Sequence, residues 1–186
     1  MYKRQIYTEK FENIQRVKND SSKIKLLFIG SVGKRKGLLE LAEAMEILIK
    51  QANGLHLFLD IIGQEEKRGE YKHIYNIFKD KKLLGNVIFH GAVLGESKIK
   101  FLQSADIFVL PSRSESFAIS NIEAMASGLP VISSDVGAIP EYLEHGLNGF
   151  LIKPGDIKKL IKYIKILSGN AQLREKMGLS LIHISE

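Results

Sequence analysis

Ile24-Lys25-Leu26-Leu27-Phe28-Ile29-Gly30-Ser31-Val32-Gly33-Lys34-Arg35-Lys36-Gly37-Leu38-Leu39-Glu40-Leu41-Ala42-Glu43-Ala44-Met45-Glu46-Ile47-Leu48-Ile49 is the stretch whose reading decides the fold. Its first six residues are mostly large and apolar without strict polar alternation, as in a strand covered on both faces. A loop of glycines and cations follows. Leu38, Leu41, Ala42, Met45, Leu48 and Ile49 then recur with a period near 3.6, the mark of a helix burying one stripe. Strand, glycine-rich turn and helix in that order make half of a βαβ unit.

The same alternation continues along the chain. Apolar runs at Leu55–Ile62, Val87–Phe89, Ile107–Leu110, Val131–Ile132 and Gly149–Ile152 are separated by helical patterns at Tyr71–Phe78, Lys98–Gln103, Ser120–Ala126 and Ile157–Leu167. This spacing predicts parallel strands joined by right-handed crossovers, hence one α/β, Rossmann-like, doubly wound parallel sheet over residues 23–178. Residues 1–22 read as a linker or partly extraneous N-terminus, and 179–186 as an apolar, strand-like tail outside the fold.

Composition limits the function classes. The 186 residues are 45% hydrophobic and 26% charged, the balance of a globular protein. No stretch approaches the roughly 18–20 apolar residues of a membrane span. There is no apolar leader segment, and the absence of cysteine excludes disulfides and thiol catalysis, so a cytoplasmic protein is expected. The net charge of +6 favours an anionic partner without naming it. No aromatic or basic periodicity points to nucleic acid. The five histidines show no metal-ligand spacing and no Asp-x-Asp occurs, so neither a metal nor another cofactor is expected.

Open parallel sheets bind ligands beyond the carboxyl ends of their strands. Two such loops carry chemistry. In Gly30–Gly37, glycines allow close backbone approach, and Lys34, Arg35 and Lys36 precede a helix N-terminus that favours anions. The same residues also suit an ordinary strand–helix turn with solvated lysines. In the second loop, after Leu110, Glu115 precedes a helix predicted to start near Phe117, and Glu123 lies about two turns along it. The amides of Phe117, Ala118 and Ile119 would then face an anion, while the two carboxylates could accept hydrogen bonds from vicinal hydroxyls. With 21 acids in 186 residues, an acid eight positions from another arises by chance about once in nine; spacing alone does not select function. The segment Ala124–Glu141 reads as scaffold, with Gly137 starting a strand-end turn into a helix at Pro140-Glu141.

Taken in order, Lys36-Gly37, Val87…Phe89…Gly91, Ala105-Asp106…Pro111-Ser112, Glu115-Ser116-Phe117-Ala118…Glu123-Ala124-Met125-Ala126, Gly128-Leu129-Pro130-Val131-Ile132, Asp135-Val136-Gly137…Pro140-Glu141 and Gly146…Asn148-Gly149 resemble the C-terminal domain of the group 1 (family 4) glycosyltransferases, which have the GT-B fold. The resemblance implies a retaining, metal-independent transferase of hexosyl type. It would move a sugar from a nucleotide-diphosphate sugar to a glycan, lipid-linked or other acceptor, as in polysaccharide biosynthesis. It implies that Glu115 lies by the transferred sugar as a catalytic residue, Glu123 by the ribose, and Lys36 by the diphosphate. The amides of Phe117–Ile119 would meet the phosphates, and Ala92 and Val93 the base.

Ser31 stands where the family often has arginine, which points to Arg35 as the replacing cation. Family enzymes hold the acceptor site in an N-terminal domain, reached by a C-terminal crossing helix. Neither is present in this chain, so donor binding without transfer is expected from it alone. The competing reading is a nucleotide-sugar-binding module or an epimerase-like relative on the same fold. The basic helix at 157–167 fits an outer helix of the sheet, and also a peripheral contact with an anionic membrane at its inner face.

Overall fold

The computed structural model describes residues 23–51 and 56–179, and the expectations for residues 1–22, Leu55 and 180–186 lie outside them. Six strands form one wholly parallel sheet: β1 (Lys23–Ile29), β2 (His56–Ile62), β3 (Val87–Gly91), β4 (Ile107–Leu110), β5 (Val131–Ser134) and β6 (Gly149–Ile152), in the order β3-β2-β1-β4-β5-β6. Connecting them are α1 (Leu38–Lys50), α2 (Glu70–Asp80), α3 (Gly95–Ser104) and α4 (Ile119–Ala126); α5 (Ile157–Ser168) and α6 (Ala171–Leu179) close the chain. This is the doubly wound α/β arrangement predicted, and its six strands fall on the six apolar runs.

The sequence explains these elements locally. Phe28, Leu26 and Leu27 on β1 and Phe108 and Val109 on β4 are at most 1% exposed, because helices cover both faces of the central strands. Each such side chain contributes about 1.5–3 kcal/mol by leaving water. α1 buries Leu38, Leu41, Ala42, Met45 and Leu48 and packs on α5 and α2. α5 starts at Asp156, whose carboxylate accepts the Lys159 N–H at 3.0 Å, and it buries Leu160, Tyr163, Ile164 and Leu167 while Lys158, Lys159, Lys162 and Lys165 stay outside. Among the described residues no helix is long and apolar enough to cross a membrane.

Three local expectations change. α4 begins at Ile119, two residues later than predicted, because Ala118 keeps a non-helical ψ of 86°; its carbonyl accepts the Asn121 N–H of the first turn and also the Tyr142 hydroxyl. The segment after Gly137 makes only a 3₁₀ turn, Ile139–Glu141, with Pro140 at its start. Leu179 ends α6 instead of starting a strand-like tail.

The chain reverses its direction of travel across the sheet between β1 and β4. Loops 30–37 and 111–118 leave these neighbouring strands at their carboxyl ends and face each other there, which is where a doubly wound sheet opens a ligand crevice.

Candidate donor-binding crevice

The two loops are laced together. A 3₁₀ turn, Lys34–Lys36, interposes between β1 and α1, and Gly37 reverses the chain at φ 74°. A Cβ on Gly37 would stand 1.9 Å from the Pro111 carbonyl oxygen, so only glycine lets the strands' exits run this close. The Arg113 N–H donates to the Arg35 carbonyl at 2.8 Å, and the Arg35 guanidinium donates to the Ser114 carbonyl at 2.9 Å.

The turn aims Lys36 at Glu115. Its Nζ donates to Glu115 Oε1 at 2.6 Å, with side chains 13% and 7% exposed, and Ser112 Oγ donates to the same oxygen at 2.7 Å. Glu115 Oε2 accepts no hydrogen bond among the described residues. Arg35 is not a free counter-charge: its Nε sits 2.5 Å from Glu66 Oε1. It ties the loop as well as adding charge.

Glu123 faces inward, 7% exposed. Its Oε1 accepts from Lys98 Nζ of α3 at 2.5 Å, while its Oε2, like that of Glu115, accepts nothing among the described residues. Lys98 was not singled out in the sequence. A signal existed: Lys98 is four residues before Leu102, which is fully buried, so a cation stands on the inward stripe of α3. The expected base-site residues, exposed Ala92 and half-buried Val93, form the loop that enters this same helix. Beside them a shallow hollow is lined by Gly63, Gln64, Glu65, Tyr71, Lys72 and Gly91. His90, at the end of β3, is occupied with Asp60 at 2.6 Å and packs against Phe101. No group of three or more His, Asp or Glu side chains that could hold a metal occurs among the described residues.

At the start of α4, the amides of Ile119 and Ser120 open the helix without an intrahelical acceptor. Phe117 and Ala118 lie ahead of it and are held by Tyr142, whose ring meets Phe117 edge-on and whose hydroxyl donates to the Ala118 carbonyl at 3.3 Å. The segment read as scaffold also supports Glu115 directly: Ala138 N–H donates to the Ser116 carbonyl at 3.2 Å, and Gly137 presses so close that a Cβ would stand 2.1 Å from the Glu115 carbonyl.

Burial, with the Glu115 charge adding and the Asn121 hydrogen bond opposing, pushes the Tyr142 phenol up to about 12 from 10.0. The folded state therefore holds its proton more tightly than the unfolded chain. The resulting stability is whole below pH 10 and is lost as pH rises toward 12. Tyr142→Phe is expected to shrink the fall in urea midpoint between those pH values, followed by circular dichroism.

Against this geometry, the profile of the family described as Glycosyl transferases group 1 matches residues 9–180. The chain belongs to that family. It is 34% identical over 151 residues to the amylovoran biosynthesis glycosyltransferase AmsK of Erwinia amylovora, covering 78% of this chain and 36% of AmsK. The C-terminal domain of the group 1 family protein LpcC from Francisella tularensis superposes with a TM-score of 0.79 at 25% identity, covering 97% of both chains. HepE of Anabaena, solved in complex with UDP-glucose, shares the fold at 19% identity and a TM-score of 0.79, with 92% of this chain and 49% of HepE covered. The group 1 chain described here thus has the C-terminal half of a GT-B fold, and it spans less than half the length of the curated relatives it matches.

Proposed function

We propose that this group 1 domain is the donor half of a retaining, metal-independent glycosyltransferase that takes a nucleotide-diphosphate sugar. The observation that carries the reading is the matched pair of acids at the switch point. Glu115 and Glu123 each have one oxygen held by a lysine, while the other accepts no hydrogen bond among the described residues. A lysine-held carboxylate stays oriented and keeps an acceptor for hydroxyls, the chemistry a ribose diol and a hexose both offer. Glu115 serves the sugar end and Glu123 the ribose end. Between them, Lys36 and the α4 amides at Ile119 and Ser120, with the backbone at Phe117 and Ala118, face the diphosphate, Arg35 holding the loop. Positive charge and helix dipole aimed at the leaving diphosphate stabilise the charge that develops on it, without a metal. Ala92 and Val93 border the base. HepE was solved with a UDP-sugar, which agrees with a nucleotide-sugar donor.

The acceptor is met by the part of the protein that lies beyond this domain, so the domain alone binds donor without transferring sugar. Exposed Leu94 and Ile119, at 80% and 53%, stand at the starts of α3 and α4, where an opposing half would close on the crevice. We place the reaction in the cytoplasm. Contact of α5 with an anionic membrane would be electrostatic only, since its apolar stripe is spent on the sheet.

Calorimetry of uridine-, guanosine- and adenosine-diphosphate sugars tests the reading. One base should bind, and Glu123→Ala should weaken that binding at least tenfold, about 1.4 kcal/mol or more, through loss of a charge-assisted bond to the ribose. Equal affinity in the variant would remove Glu123 from the ribose site.

A further inference from the structure

Glu40 is an acid in the wrong place for a surface residue. It is the third residue of α1, yet it is only 3% exposed, and its neighbour one turn on, Ala44, is fully buried. A glutamate there often accepts from the backbone N–H of the helix cap, but the N–H of the cap, Gly37, donates to the Lys34 carbonyl instead. The carboxylate meets one cation instead: Arg113 Nη2 lies 2.5 Å from Oε1, and neither oxygen accepts a hydrogen bond among the described residues. Arg113 is two residues before Glu115, in the loop whose backbone is tied to Arg35. Its side chain is 58% exposed, so it reaches down from solvent onto a carboxylate that is 4% exposed.

We propose that Glu40 and Arg113 are a positioning pair that clamps the 111–116 segment onto the N-terminus of α1 and so sets where Glu115 stands. A buried carboxylate strongly favours keeping the cation it is paired with, and the short segment from Arg113 to Glu115 transmits that restraint. The pair touches no donor group; it acts through Glu115, on the sugar end alone. The consequence for donor binding rests on the function proposed above, whereas the clamp itself does not.

Two measurements on the full chain test the clamp and its consequence separately. In the unliganded protein, Glu40→Gln should speed amide hydrogen exchange about tenfold across residues 112–116 and leave β1, β4 and β5 unchanged. Arg113→Gln should do the same, and Arg113→Lys, which keeps a cation, should restore most of the protection. Unchanged exchange at 112–116, or acceleration spread through the sheet, overturns the clamp. In calorimetry with UDP and UDP-glucose, Glu40→Gln should cut the advantage of the sugar nucleotide over UDP at least fivefold and leave UDP within about twofold. A parallel loss for both ligands would show general damage and overturn the sugar-end role. If the wild type binds neither ligand nor their guanosine and adenosine counterparts, the donor reading falls, while the exchange result still decides the clamp.

Discussion

Lys36→Met is expected to weaken nucleotide-sugar binding by ten- to a hundredfold, read by calorimetry, and to lower stability by about 2–3 kcal/mol, read by urea denaturation. Two effects add in binding. The variant removes a cation facing the diphosphate, where a charge-assisted hydrogen bond is worth about 1.5–3 kcal/mol. It also leaves Glu115 as a negative charge beside the incoming phosphates. Stability falls because Glu115, 7% exposed and 2.6 Å from Lys36, then retains, among the described residues, only the Ser112 hydroxyl. Breaking a fully buried pair costs about 3–5 kcal/mol, and the small remaining exposure of this one scales that down. Methionine keeps the length of the stem, so lost packing does not account for the result. Lys36→Arg should recover stability better than binding, because a guanidinium pairs well with the Glu115 carboxylate but its planar fork replaces the compact charge that faces the diphosphate. Unchanged affinity in Lys36→Met would place the diphosphate elsewhere.

Gly37→Ala carries the second large effect. At φ 74° alanine meets left-handed strain of about 1 kcal/mol, and its Cβ would stand 1.9 Å from the Pro111 carbonyl oxygen. That atom belongs to backbone, which cannot swing aside as a side chain does. Pushing the two loops apart is expected to bring the total cost to about 3–5 kcal/mol. The control is Gly155→Ala, with φ 79° and nothing within 4 Å of the added Cβ. It shares the strain without the clash, so about 1 kcal/mol is expected there. Urea midpoints for both variants separate the two terms. An equal fall in both would show that the close approach of the loops at Gly37 contributes nothing.

Much of this molecule was legible because its signals are local. The run Ile24–Ile29 and the 3.6 period of Leu38–Ile49 each report burial within a few residues of themselves, and the structure places β1 and α1 on them. Alternation of such segments restricts the topology through the handedness of crossovers. Glu115 and Glu123 were legible only as members of an ordered set of motifs. The structure adds that both are inward and lysine-held, which their spacing alone does not select. The helix expected near Phe117 begins at Ile119, after an Ala118 of non-helical ψ whose carbonyl also meets a phenol from a distant turn, a contact no local pattern contains.

The sequence by itself determined the layers, the strand count and the loops that face the crevice, since hydrophobic period and glycine placement are properties of neighbouring residues. Only the tertiary structure decided which charges meet. Lys36 and Glu115 are 79 positions apart, Lys98 and Glu123 25 positions apart, and Arg113 reaches back across β1 to Glu40. These partners are fixed by the order β3-β2-β1-β4, which sets two strand ends side by side, and by a glycine that lets their loops touch. An ion pair depends on a few ångströms between side chains, and those distances are set by sheet packing, not by spacing along the chain.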